Sequence, residues 1–256
     1  MSTKRVTAPS IASMKGAGIV CITAYDFPTA RLADEAGVDL ILVGDSLGSV
    51  LFGYSTTIPV SLEMIEHHTI AAARGAQRAL VVADLPFGSY QCSVEDAVRA
   101  SVRLMKAGAG AVKLEGTYTE HIQAIARAGI PVMGHVGMTP QSYHTFGGHR
   151  VQREDAVLDD AIAVQNAGCF SVVLELVPAE LASRITQKLH IPTIGIGAGI
   201  QCDGQIQVFH DLLGFSDATF KHTKRYAEVG DVIRNAINGY ASEVRTKLFP
   251  GDENSF

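Results

Sequence analysis

The chain contains no apolar run near the roughly 20 residues that a membrane-spanning helix needs. Residues 1–10 have no apolar core of the signal-peptide kind. Cysteine is scarce, and Cys21, Cys92, Cys169 and Cys202 are too far apart to form a CxxC zinc or redox motif. Cys21 and Cys169 lie in or beside apolar runs and are expected to be buried as small hydrophobes. Positive charge is not in excess: the formal net charge of −5 gives no electrostatic reason to expect nucleic acid or an anionic membrane as a partner. No stretch of linker-like composition divides the 256 residues. These absences point to one domain over 1–256, working in a reducing cytoplasm. With 47% hydrophobic and 18% charged residues, the chain has the composition of a protein with a large core.

Short β-branched runs alternate with amphipathic segments, the signature of βα units and a parallel sheet. The patterns predict strands near 19–25, 40–44, 79–84, 111–115, 131–136, 171–176 and 192–197. Helices are predicted near 28–36, 61–74, 93–107, 118–128, 155–167, 178–189, 203–213 and 231–248. Gly37, Gly75, Gly108, Gly129 and Gly168 mark helix-to-strand junctions and suit the left-handed position that stops a helix. The stretch after Gly214 is polar, yet an eighth strand near 216–222 followed by the last helix would close a (β/α)8 TIM barrel. A short helix within 8–16 would plug its base. An open doubly wound sheet is the competing architecture. Two connections, 46–60 and 137–154, are longer than a barrel needs and suit substrate walls or lids.

Four runs end on an acid: Asp45 in Leu-Val-Gly-Asp, Asp84 in Val-Val-Ala-Asp, Glu115 in Val-Lys-Leu-Glu and Glu175 in Val-Val-Leu-Glu. In parallel α/β proteins the C-terminal strand ends converge on one face, which holds the active site. Acids gathered there repel one another unless a cation or basic group stands between them. Asp45 and Asp84, on adjacent strands, suit Mg²⁺, which favours one or two carboxylates plus waters and substrate oxygens. The competing reading makes each an N-cap of the following helix. Zn²⁺ is disfavoured because no His/Cys cluster accompanies them. Lys113 and Glu115 are two apart, so they share one side of their strand, and the apolar Val112 and Leu114 claim the helix-facing side. A buried Lys needs a partner, either Glu115 or a bound anion. Glu175, across the barrel from strands two and three, is placed to act as a general base; a rim salt bridge is the plainer reading. His135 ends strand five, as a donor to substrate or as a satisfied core histidine. Gly195-Ile-Gly-Ala-Gly199 lacks the full GxGxxG spacing of a dinucleotide loop. His67 and His68, mid-helix, are expected at the surface.

Taken in order, Thr23-Ala-Tyr-Asp26, Leu42-Val-Gly-Asp45-Ser46-Leu-Gly48, Ala83-Asp84-Leu-Pro-Phe87, Val112-Lys113-Leu-Glu115-Gly116, Gly134-His135-Val-Gly-Met-Thr-Pro-Gln141, Phe146-Gly-Gly148, Leu174-Glu175-Leu-Val-Pro178 and Ile194-Gly-Ile-Gly-Ala-Gly199 resemble the ketopantoate hydroxymethyltransferase family. The resemblance implies a (β/α)8 barrel of the phosphoenolpyruvate/pyruvate superfamily and a homodecamer or other large homo-oligomer. It implies transfer of a hydroxymethyl group from 5,10-methylenetetrahydrofolate to 3-methyl-2-oxobutanoate, with Mg²⁺ favouring the enolate. It also implies Asp45, Asp84 and Glu115 as metal residues, Glu115 directly or through water. Asp45, Ser46, Asp84 and Lys113 would hold the 2-oxo acid, and Glu175 would accept the proton. Lyases and phosphomutases of the same superfamily usually carry a Lys-Lys-Cys-Gly-His-type loop, which is not found here. One segment departs from the family: Phe220-Lys-His-Thr-Lys224 replaces a Pro-Lys-Phe-x-Lys pattern, which bears on the folate tail or a neighbouring subunit rather than on a catalytic position.

Overall fold

The strands are β1 (Ile19–Thr23), β2 (Leu40–Val43), β3 (Leu80–Asp84), β4 (Ala111–Lys113), β5 (Val132–Gly137), β6 (Ser171–Glu175), β7 (Thr193–Ile196) and β8 (Gly204–Gln207). Each pairs in parallel with the next, and β1 pairs with β8, so the sheet closes on itself in chain order. This computed structural model describes residues 4–148, 150–152, 156–215 and 220–256. The helices are α1 (Ala8–Ala12), α2 (Phe27–Glu35), α3 (Leu47–Val50), α4 (Leu62–Gly75), α5 (Val94–Lys106), α6 (Thr119–Arg127), α7 (Tyr143–Phe146), α8 (Ala156–Ala167), α9 (Ala179–Lys188), α10 (Phe209–Leu212) and α11 (Val229–Thr246). Their starts are chemically marked: Asp26, Ser61 and Ser93 accept the backbone N–H of the third residue of α2, α4 and α5.

The eighth strand is not where the polarity pattern put it. Residues 204–207, expected within a helix over 203–213, form β8, and only the one-turn α10 follows. Of the 216–222 stretch, residues 216–219 lie outside the described residues, as does residue 155 of the expected 155–167 helix. β8 escapes pattern reading because Ile206 is its single large apolar side chain. It fits because Gly204 has no side chain: a Cβ there would stand 2.6 Å from the Ile19 carbonyl oxygen and 2.7 Å from Ile194.

Among the junction glycines, Gly37, Gly108, Gly129 and Gly168 take positive φ as expected. Gly75 does not; it ends α4, and a Cβ on it would sit 2.5 Å from the Phe27 carbonyl oxygen, so it serves the close packing of α4 on α2.

Residues two apart on a strand share a face, and one such set fills the barrel. Ile19, Cys21, Leu40, Leu42, Leu80, Val82, Ala111, Met133, Val173, Ile194 and Ile206 form one buried cluster, joined by Ala8 and Ile11. The N-terminal helix α1 thus plugs the N-terminal end of the barrel, and burying Ile11 alone contributes roughly 1.5–3 kcal/mol.

The chain divides into two compact units, Met1–Val208 and Phe209–Phe256. The first holds the closed barrel. The second holds α10 and α11, and α11 exposes the apolar side chains Val232, Ile233, Ile237, Tyr240 and Val244. No helix among the described residues is long and apolar enough to cross a membrane.

Candidate active site

At the C-terminal end of the barrel the inward-facing positions change character. Leu80 and Val82 are followed by Asp84, Ala111 by Lys113 and Glu115, Met133 by His135, and Val173 by Glu175. The alternation that builds the apolar core below therefore delivers charged side chains above. Asp45, just past β2, joins them. Asp45, Asp84, Lys113 and Glu115 are each no more than 4% exposed, so their charges must be balanced locally.

The contacts show how far the chain achieves this. Lys113 Nζ lies 2.6 Å from Asp84 Oδ1 and 3.8 Å from Glu115 Oε1. The backbone N–H of Asp45 donates to Asp84 Oδ2 at 3.0 Å. Neither aspartate caps a helix; the acid beyond β2 and the acid ending β3 are instead tied to each other. Ser46 precedes α3 without a side-chain capping bond, and its hydroxyl pairs with the Tyr25 hydroxyl at 2.9 Å. His135 sits between two acids, Nδ1 3.4 Å from Glu115 and Nε2 3.3 Å from Glu175, within ion-pair range but outside hydrogen-bond geometry. It is neither a bland core histidine nor isolated. His68, expected at the surface, is half-buried and its Nδ1 contacts the Tyr25 carbonyl at 2.6 Å, whereas His67 is exposed.

Electrostatics separate the acids. Burial pushes the Asp45 carboxyl well above the ordinary range, and Asp84 and Glu115 push it further. Burial also raises Glu115, but His135, Lys113 and the Gln141 backbone N–H outweigh that and bring it below its usual value. Burial opposes the Lys113 ammonium, yet Asp84, Glu115 and Asp45 hold its pKa above the ordinary lysine value. Burial likewise opposes a charged His135, while Glu115 and Glu175 on its two sides carry its pKa up to about 9. Burial raises the Asp84 carboxyl too, although the Lys113 ammonium and the Asp45 backbone N–H work against it. Asp45, with no ammonium in ion-pair range among the described residues, is the carboxylate shortest of positive charge.

That shortage is the observation that fits a hard divalent cation, which favours one or two carboxylates and fills its remaining positions with water and substrate oxygens. Among the described residues no three His, Cys, Asp or Glu side chains form a ready-made metal cage. Asp45 and Asp84 match the sparser carboxylate set that Mg²⁺ takes.

Glu175 ends β6 on the opposite side of the ring, its side chain 17% exposed. Leu176 beyond it adopts φ 49°, a left-handed conformation costing a side-chain-bearing residue roughly 1–2 kcal/mol. Its N–H donates to the Ile196 carbonyl and its carbonyl accepts from Gln152 N–H, so both flanks hold the turn that follows the acid.

Two residues that make contacts here were given no role by the sequence reading, although both lie in the motifs that carry the resemblance. Tyr25 continues the inward positions 19, 21 and 23 beyond β1, so the period of two could have found it. Gln141 has no such signal. It lies in a single 3-10 turn, Pro140–Ser142, and reaches the site through its contacts alone. Beside that turn, a cavity of about 390 Å³ is lined by Tyr118, Gly137, Thr139, Phe146 and Asp160.

Comparison with known proteins bears on this arrangement. A 3-methyl-2-oxobutanoate hydroxymethyltransferase from Anaeromyxobacter sp. (strain Fw109-5) is 50% identical over 99% of this chain and 88% of its own length. The solved structure of 2,3-dimethylmalate lyase, described as a PEP mutase/isocitrate lyase superfamily member, shares the fold at 17% identity, with a TM-score of 0.62 over 97% of this chain and 91% of that one. Phosphonopyruvate hydrolase, solved as a complex with oxalate and Mg²⁺, shares it at 13% identity, with a TM-score of 0.62 over 97% and 93%. A family model described as ketopantoate hydroxymethyltransferase matches residues 5–252. The chain belongs to the ketopantoate hydroxymethyltransferase family of enzymes.

Proposed function

We propose that the protein transfers a hydroxymethyl group from 5,10-methylenetetrahydrofolate to 3-methyl-2-oxobutanoate, giving ketopantoate and tetrahydrofolate. The observation that carries this reading is the crowding of Asp45, Asp84 and Glu115 around one ammonium, with Glu175 held across the ring from Asp45. The name borne by relatives at about half identity supports the same reaction.

The Lys113 ammonium and the Ser46 hydroxyl, together with Asp45 and Asp84, would hold the carboxylate and 2-oxo oxygens of the acid. Asp45 and Asp84 would bind Mg²⁺, with Glu115 contributing directly or through water; when bound, the ion supplies Lewis-acid stabilisation of negative charge on those oxygens. Glu175 takes the proton from C3, one of its oxygens facing His135. Water takes the one-carbon unit from the two folate nitrogens as formaldehyde, both C–N bonds breaking and the nitrogens gaining protons as tetrahydrofolate leaves. The C3 electron pair forms the new bond to that carbon while the C=O π pair moves to its oxygen, which takes back the proton from Glu175 and becomes the hydroxyl. A cytoplasmic location and a large homo-oligomer, the homodecamer or another closed assembly, complete the reading.

The test separates the halves of the reaction. In D₂O with Mg²⁺ and 3-methyl-2-oxobutanoate alone, the C3 proton should exchange at an enzyme-dependent rate, and adding the folate should give ketopantoate. Glu175→Gln should slow exchange by roughly 10²–10⁴ while Mg²⁺ and the acid still bind. Wild-type exchange in a folded Glu175→Gln protein would remove Glu175 as the base. Absence of both exchange and product in the unaltered protein would overturn the reading as a whole.

A further inference from the structure

Gln141 is buried, 6% exposed, and both ends of its side-chain amide and its backbone N–H are engaged. Its side-chain Nε2 donates to Asp45 Oδ2 and to the Leu85 carbonyl, each at 3.0 Å. Its Oε1 accepts from the Tyr90 hydroxyl and from Gln91 Nε2, each at 2.9 Å. Its backbone N–H donates to Glu115 Oε2 at 2.9 Å. The amide orientation follows from chemistry: the Leu85 carbonyl only accepts and Gln91 Nε2 only donates, so a flipped amide would lose both bonds. One residue thus joins the acid beyond β2, the β3–α5 connection at Leu85, Tyr90 and Gln91, and the acid beyond β4 to the segment that follows β5.

We propose that Gln141 is a positioning residue for metal and 2-oxo-acid binding: it fixes one oxygen of Asp45 and one of Glu115, so that the carboxylates meet the cation pre-arranged. A neutral donor suits this task. It satisfies an oxygen without neutralising the charge the cation needs, whereas an Arg or Lys there would compete with the ion. The Tyr90 hydroxyl braces the arrangement from the far side, touching the Glu115 carbonyl at 3.0 Å as well as Gln141.

The inference rests on the metal-binding reading proposed above, and its test keeps the two apart. Mg²⁺ binding to the metal-free protein is measured by calorimetry with 3-methyl-2-oxobutanoate present, for the unaltered protein and for Gln141→Met, which conserves volume and removes the amide. Mg²⁺ affinity should weaken about 10–100-fold, as when other outer-shell partners of metal ligands are removed. KM for the 2-oxo acid should rise by a similar factor, with kcat at saturation falling only severalfold. A lower melting temperature with unchanged Mg²⁺ affinity and KM in the folded protein is the signature of a merely structural role and overturns the proposal. If Gln141→Met does not fold, Tyr90→Phe decides: it leaves Gln141 one brace fewer and should weaken Mg²⁺ severalfold, while unchanged affinity overturns the proposal. If the unaltered protein binds no Mg²⁺ beside the 2-oxo acid, the functional reading itself falls and takes this inference with it.

Discussion

Two buried aspartates at opposite ends of the barrel have been treated in opposite ways by the chain. Asp203, at the N-terminal end before β8, accepts from Lys15 Nζ and the backbone N–H of Gly16, each at 2.8 Å. It also accepts from the N–H and hydroxyl of Thr193 at 2.8 and 3.0 Å. Burial works against its charge, but Lys15 and the N–H groups of Thr193 and Gly16 outweigh it and hold the carboxyl below the usual range. Asp45, more deeply buried at the C-terminal end, is given the Gln141 amide and two repelling carboxylates, and its carboxyl is driven up. Where the chain supplies all partners, the acid stabilises the fold. Where it leaves an acid short of positive charge, the acid costs stability, and Asp45 is the one to which the Mg²⁺ proposed above would bind.

The largest expected effect falls on Asp45. Asp45→Asn should lower turnover on the order of 100-fold or more, while the melting temperature of the metal-free protein rises, because a buried uncompensated charge is removed. A lower melting temperature would break the comparison by making Asp45 a structural acid like Asp203. Next comes Asp203→Asn, which leaves the Lys15 ammonium without its carboxylate. Thermal or urea unfolding should show a loss of about 3 kcal/mol, roughly 6–12 °C in a protein this large, with turnover per folded molecule close to wild type. Loss of turnover without loss of stability would put Asp203 in the wrong class. The smallest effect sharpens the contrast through pH. The folded Asp203 pKa lies below its unfolded value, so its contribution is complete above the unfolded pKa of roughly 4 and fades as pH falls through the folded one. The stability gap between wild type and Asp203→Asn should therefore be full at pH 6 and shrink below about pH 4. A gap independent of pH would show that the lost stability was not carried by the carboxylate's charge.

How much of this was legible beforehand follows from the two ends as well. Asp45, Asp84, Glu115 and Glu175 stood out because each terminates an apolar run, and the period of two placed Lys113 and Glu115 inside the barrel; both are buried there. Cys21 and Cys169 are buried as expected. The first seven strands were legible because both faces of a barrel strand are covered, which leaves near-continuous apolar runs. β8 was not, because Gly204, Gln205 and Gln207 surround a single Ile, and close approach rather than hydrophobic pattern selects its glycine. His135 stayed ambiguous until its two flanking acids were placed, and Gln141, though it ends one of the motifs that carry the resemblance, had no legible role because a side chain meeting residues from three other connections leaves no periodic trace.

The seam between β1 and β8 also governs how the molecule comes into being. It joins residues 19–22 to 204–207, the most sequence-distant pairing in the ring. Each of the other ladders joins consecutive strands and needs only a local βα unit, so the closing seam carries the largest loop-closure cost and waits longest. During synthesis, β1 emerges early and keeps an unpaired edge until Gly204 through Gln207 leave the ribosome, and the newest strand beside the gap does the same. A chain halted before that point displays two parallel edges of unmet N–H and C=O groups, the surface that drives strand-to-strand aggregation. Four residues with one large apolar side chain among them are what end that exposure.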